Sequence, residues 1–123
     1  MNQITNINEE TIKQEELDAA MEDETTIFTH KLSKPVEYNG KHYEELHFDF
    51  DALTGRDCLN ISAELAATGK TAIVPALSDE YLIRFAARAC TEDMVSSDIF
   101  DVMKSSDFLR ITSRARSFLL RAD

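Results

Sequence analysis

The sequence predicts an α+β fold: a β-hairpin over residues 27–51, then a bundle of about four α-helices, with a disordered acidic arm in front. Three observations point there. Apolar residues alternate at a strand's period of two on either side of Asn39-Gly40. From Thr54 onward they recur at helical spacing behind four separate helix-start signals. The first 26 residues hold eight acidic groups (Glu9, Glu10, Glu15, Glu16, Asp18, Glu22, Asp23, Glu24) against Lys13 alone, and no aromatic residue. A chain of 123 residues suits one folded unit, so residues 1–25 read as a flexible arm and 26–123 as a single domain.

The arm takes most of the net charge of −10, because its eight acids and one lysine leave only −3 for the other 97 residues. Its apolar residues (Ile4, Ile7, Ile12, Leu17, Met21) keep no sustained helical spacing. Burying so few side chains does not offset roughly 1–2 kcal/mol of backbone entropy per ordered residue. At most a transient helix is expected over 11–21, and a solubilising tail is favoured over a binding peptide.

In the hairpin, Phe28, Leu32 and Val36 fall on one face of the first strand, and Leu46, Phe48 and Phe50 alternate in the second. An Asn-Gly pair between such runs is a strong hairpin signal. A two-residue turn pairs Val36 with Tyr43 and Leu32 with His47, which sets the two apolar faces on opposite sides of the sheet. A three-residue loop, Tyr38-Asn39-Gly40, with Gly40 left-handed, sets Phe28 against Phe50, Leu32 against Leu46 and Lys34 against Glu44. That bulged register is the expectation. Phe28, Leu32, Leu46 and Phe48 then share one buried face, and Pro35, without an N–H, marks an exposed edge of the first strand.

Four helices are expected near 55–68, 79–91, 97–104 and 106–121. Thr54 precedes Gly55-Arg56-Asp57 in a capping-box-like arrangement. Cys58, Ile61, Ser62 and Leu65 trace the first core face until Gly69 stops the helix. Residues 71–77, with Pro75, read as a connector. Ser78 caps the second helix, whose core face is Leu82, Phe85, Ala86 and Ala89, with Ile83 and Cys90 flanking. Ser96 or Ser97 opens a short helix carrying Ile99, Phe100, Val102 and Met103. Ser105 or Ser106 opens the last, with a stripe of Phe108, Ile111, Ala115, Phe118 and Ala122, and Arg110, Arg114, Ser117 and Arg121 opposite.

Catalytic and metal constellations are poor. Ala67-Thr68-Gly69-Lys70-Thr71 echoes the tail of a phosphate-binding loop, but a helix runs into these residues rather than out of them. His47, Asp49 and Asp51 alternate, and a solvated strand face is favoured over a metal site. Cys58 and Cys90 fit buried thiols of a reducing cytoplasm better than a disulfide or a nucleophile. Neither a nucleophile-elbow pattern nor a His-Glu-x-x-His pair is present. The chain therefore reads as a non-enzyme without cofactor or metal. It carries neither an 18-residue apolar run nor a secretory-signal pattern, so no membrane partner is expected. A pI near 4.7 argues against general nucleic-acid binding. The last twenty residues are locally basic: Lys104, Arg110, Arg114, Arg116 and Arg121 against Asp107 and Asp123 give +3. A solvated face that complements the helix dipole is favoured over docking of an acidic surface such as the chain's own arm. Nucleic acid there lacks interleaved aromatics.

The run Leu32-Ser33-Lys34-Pro35-Val36-Glu37-Tyr38-Asn39-Gly40-Lys41-His42-Tyr43-Glu44-Glu45-Leu46 resembles the tail assembly chaperones of long-tailed, contractile-type bacteriophages and prophages. The resemblance continues through Leu53-Thr54-Gly55-Arg56-Asp57 and the alanine-rich Tyr81-Leu82-Ile83-Arg84-Phe85-Ala86-Ala87-Arg88-Ala89. It closes on Asp107-Phe108-Leu109-Arg110-Ile111 and Phe118-Leu119. The acidic arm is the least family-like part. The resemblance implies a non-catalytic chaperone that binds the tape-measure protein, helps tail tube protein assemble around it, works in the host bacterial cytoplasm and is absent from the mature virion. Relatives are often also made in a longer, frameshifted form. An exposed apolar helical partner and a soluble acidic cover are physically compatible, and a groove between hairpin and helices is the expected contact surface. The alternative is a small cytoplasmic adaptor or regulatory protein that binds nucleic acid through the C-terminal arginines.

Overall fold

The computed structural model describes residues 27–121, so the expectations for the arm at 1–25 lie outside the described residues. Strand β1 (Phe28–Tyr38) and strand β2 (Lys41–Phe48) form a two-stranded antiparallel sheet. Three α-helices follow: α1 (Gly55–Ala67), α2 (Asp79–Ala89) and α3 (Ser105–Arg121). The fold is α+β, a hairpin and then helices, as the sequence predicts.

The hairpin register differs from the expected one. Asn39 and Gly40 both have positive φ, 52° and 76°, as a two-residue type I′ turn requires. Tyr38 accordingly pairs with Lys41, and Val36 with Tyr43. The irregularity expected in the loop lies inside β1 instead. Lys31 faces Glu45 and Val36 faces Tyr43, so residues 32–35 stand against Glu44 alone. Phe28 therefore faces Phe48 rather than Phe50, and His30 faces Leu46. The pairs Leu32–Leu46 and Lys34–Glu44 do not form, yet Leu32 and Leu46 both enter the core. A bulge does for the apolar phase what a longer loop was expected to do. It sits at Pro35, which has no ladder N–H to lose, and at Ser33, whose N–H is taken elsewhere.

Strand β2 stops at Phe48 rather than at Asp51, and Phe50–Ala52 turn as a 3-10 helix that buries Phe50. The chain leaving α2 then runs along β2: Cys90 bridges to Phe48, the Asp49 N–H donates to the Ala89 carbonyl at 2.8 Å, and the Thr91 N–H donates to His47 at 2.8 Å. That contact covers part of one hairpin edge.

Helix ends follow the sequence closely. Thr54 and Asp57 form the reciprocal capping box, with the Thr54 N–H donating to the Asp57 carboxylate at 2.8 Å. Gly69, at φ 78°, closes α1: its N–H donates to Ala66, and the Lys70 N–H donates to Leu65, both at 2.9 Å. Ser78 accepts from the Tyr81 N–H at 3.1 Å. The helix expected over 97–104 is instead a 3-10 turn, Ser97–Asp101. Ser96 makes no side-chain cap there, and the adjacent Ile99 and Phe100 both reach the core within one tight turn. Val102, placed on its apolar face by the sequence, is exposed.

Helix α2 touches α1, α3 and β2, and its Phe85 lies at the centre of an aromatic chain. Phe28 stacks on Phe48, Phe48 on Phe50 and Phe50 on Phe85, with centroids 5.8–6.1 Å apart. Phe118 packs against both Phe50 and Phe85. The buried face of α3 is rotated from the expected stripe: Asp107, Ile111, Thr112 and Ala115 are buried, whereas Phe108 and Phe118 are half-buried. Phe108 meets Phe100 edge-on. Ala122 lies outside the described residues.

Candidate functional site

The bulge in β1 creates a polar contact with the start of α3. Asp107, only 1% exposed, accepts from the Ser33 N–H at 2.9 Å, from the Ser33 hydroxyl at 2.9 Å, and pairs with His30 Nε2 at 2.8 Å. Burial pushes its carboxyl up, but the Ser33 amide, the His30 ring and the Ser33 hydroxyl outweigh it and hold it below its ordinary value. The carboxylate is fully engaged by its own chain. It is a clasp between strand and helix.

His47, Asp49 and Asp51 do not converge. His47 Nδ1 meets Glu92 Oε2 at 2.6 Å, and the His47 N–H donates to Glu92 Oε1 at 3.0 Å. Asp51 is exposed in the turn after β2. Asp49 is anchored through its N–H, and its Oδ1 is buried without a partner among the described residues. Among those residues, no group of three or more His, Cys, Asp or Glu side chains is placed to hold a metal ion.

Cys90 and Cys58 are half-buried, a little more open than their sequence settings imply. The Cys90 thiol donates to Glu92 Oε1 at 3.2 Å, and burial pushes it up to about 12. Glu92 itself is pushed up by burial, but its hydrogen bonds to His47 and Cys90 leave it below the usual carboxylate range. A thiol aimed at a carboxylate and kept protonated is a hydrogen-bond donor, not a nucleophile. Burial and the Cys58 sulfur beside it raise the Tyr81 hydroxyl as well.

Large apolar side chains are exposed on the connector that precedes α2. Ile73 is 90% exposed, Leu77 71% and Val74 49%, three large apolar side chains within five residues of the 71–77 connector. The connector is pinned from beneath. Ala76 is buried, Pro75–Leu77 form a 3-10 turn, and Arg116 of α3 donates from Nε to the Ala76 carbonyl at 2.9 Å. Leu120, one helical turn beyond Arg116, is also exposed.

A groove does lie between the hairpin and the last helix, but its lining is mixed. It encloses about 560 Å³ between β1 and α3, with Phe28 and Leu109 as apolar walls and Arg110, Ser113, Arg114 and Ser117 beside them. The Arg114 guanidinium sits 4.8 Å from the centre of the Phe28 ring. The basic face of the last helix is thus one wall of a groove. On α1 and α2, Arg88 pairs with Asp57 at 2.9 Å and Glu64 at 2.8 Å, and Arg84 pairs with Glu80 at 2.7 Å.

Sequence reasoning missed the Asp107 clasp, the Glu92 anchor and the outward-facing connector. Only the connector left a signal, since Ile73, Val74 and Leu77 have no place in any predicted core face. No helix among the described residues is long and apolar enough to cross a membrane. No family model, curated protein or solved structure matches the chain.

Proposed function

We propose that this protein is a non-catalytic tail assembly chaperone of a contractile-tailed phage or prophage, which covers an apolar helical segment of a tape-measure protein. The exposed run Ile73, Val74 and Leu77 on a pinned connector carries the binding part of that reading. Large apolar side chains that the backbone holds outward have a cost in water, and such patches mark protein interaction sites. A helix laid across this surface would bury its own apolar face against them. The resemblance of residues 32–46, 53–57, 81–89 and 107–119 to the family supplies the partner's identity, with tail tube protein as the assembly's second component. The net charge of −10 suits a cover that keeps an apolar client in solution. The chaperone acts in the host cytoplasm and leaves before the virion is complete.

Co-expression with the tape-measure protein of the same genome tests this reading. The wild-type chain should raise that protein's solubility and be recovered with it. The double variant Ile73→Asp/Leu77→Asp should fold and lose both effects, because neither side chain belongs to the core. A tape-measure protein that stays equally insoluble beside the wild-type chain would overturn the chaperone reading and move the adaptor alternative ahead.

A further inference from the structure

We propose that the connector patch is also a self-association site: a second copy of the chain docks on it, patch to patch about a two-fold axis, in a weak homodimer that a client displaces. The displacement step rests on the chaperone reading, and the dimer does not. Ile73, Val74 and Leu77 are exposed within five residues, and Leu120 is exposed one turn beyond Arg116, which holds Ala76 from α3. The other exposed large apolar side chains among the described residues, Ile27, Leu59, Met94, Val102 and Leu109, stand on separate parts of the chain. Four large side chains at the connector's exposures make a patch on the order of 500 Å², towards the upper end for a monomer. Two such patches closed on each other bury about 1,000 Å², the lower limit of a specific interface. That area suits a contact that forms at high concentration and opens for a larger partner. The connector is held by the Pro75–Leu77 turn and the buried Ala76, so it has little freedom left to lose on docking.

Charge makes a second copy the fitting occupant. A two-fold interface uses the same surface on both copies, so that surface has to complement itself. Lys70, directly before the connector, lies 3.3 Å from Glu80. Asp79, at the start of α2, lies 3.7 Å from Arg116. An apolar centre flanked by both signs meets its own copy without net repulsion, and cations of one copy can pair with carboxylates of the other. The same side chains serve dimer and client, so each excludes the other, and the patch stays covered until a client arrives.

Sedimentation velocity of the purified full chain between about 10 μM and about 1 mM tests this. The average mass should rise from that of one chain towards that of two, with a dissociation constant on the order of 100 μM. Ile73→Asp/Leu77→Asp and, on a different element, Leu120→Asp should each stay monomeric across the range while keeping the wild-type Tm. In wild-type backbone amide spectra, shifts that grow with protein concentration should fall at residues 71–80 and 116–120, a readout that needs no variant to fold. A wild-type chain that stays monomeric throughout would overturn the proposal. So would a dimer that the double variant leaves unchanged, or concentration-dependent shifts confined to other surfaces. A client bound by a chain that never dimerises would sink this inference and leave the chaperone reading standing. A dimer that forms but binds no tape-measure segment would sink the chaperone reading, and the displacement step with it, and leave the dimer standing.

Discussion

Asp107 carries more of the fold than its place in the sequence suggests. Three residues into a helix, beside two serines, it reads as a carboxylate complementing the helix dipole. Its burial depends on Ser33 and His30, which lie 74 and 77 residues away, and no local pattern encodes that. Asp107→Ala should leave the Ser33 N–H and the His30 ring without their buried acceptor, at about 1–3 kcal/mol for each donor left unpaired. For a domain of this size each kcal/mol lowers Tm by about 4–8 °C, which a thermal melt reads directly. Asp101→Ala, on the exposed turn, should change Tm little and serves as the control. The pH dependence has a fixed sign. The Asp107 carboxyl is lower in the folded chain than in the unfolded one, so its contribution is fully present above the unfolded value, about pH 4. It is lost as pH falls through the folded value. The stability gap between wild type and Asp107→Asn, followed by denaturant unfolding, should therefore narrow as pH falls below about 4.

At the level of elements, caps and stops were the most legible features. Thr54, Ser78 and Gly69 act where the sequence puts them, because each depends only on atoms a few residues away. Gly69→Ala should cost about 1 kcal/mol, entirely from the left-handed backbone, since a Cβ there meets nothing within 4 Å. Register and face were less legible because tertiary contacts choose between near-equal local solutions. The hairpin needed one irregularity to bring its apolar residues to one side, and the sequence did not say that Pro35 and Ser33, rather than the loop, would hold it. The last helix shows the same effect. Its 3-4-3-4 stripe centres on two phenylalanines, whereas the packed helix centres on Ile111 and Ala115. Ile111→Ala should thus cost more than Phe118→Ala, within the range of about 2–5 kcal/mol for large-to-small core changes, although phenylalanine is the larger residue. Denaturant midpoints of the two variants check the order, and a larger loss for Phe118→Ala would restore the original stripe.

For the molecule as a whole, the α+β class and the order of hairpin before helices were legible, because periodicity and turn chemistry are sufficient for both. The candidate surface was legible only in part. A groove between hairpin and helices was expected and is present, but the densest run of exposed large apolar side chains among the described residues lies on the 71–77 connector, which pattern reading treats as mere linkage. The central claim is that this connector binds an apolar helix of a tape-measure protein. Calorimetric titration of the purified chain with that segment tests it most directly, at several temperatures and two salt concentrations. The account predicts saturable binding with a negative heat-capacity change, only modest weakening by salt, and loss of binding in Ile73→Asp/Leu77→Asp. Binding that collapses with salt, or that survives unchanged in the double variant, would contradict it.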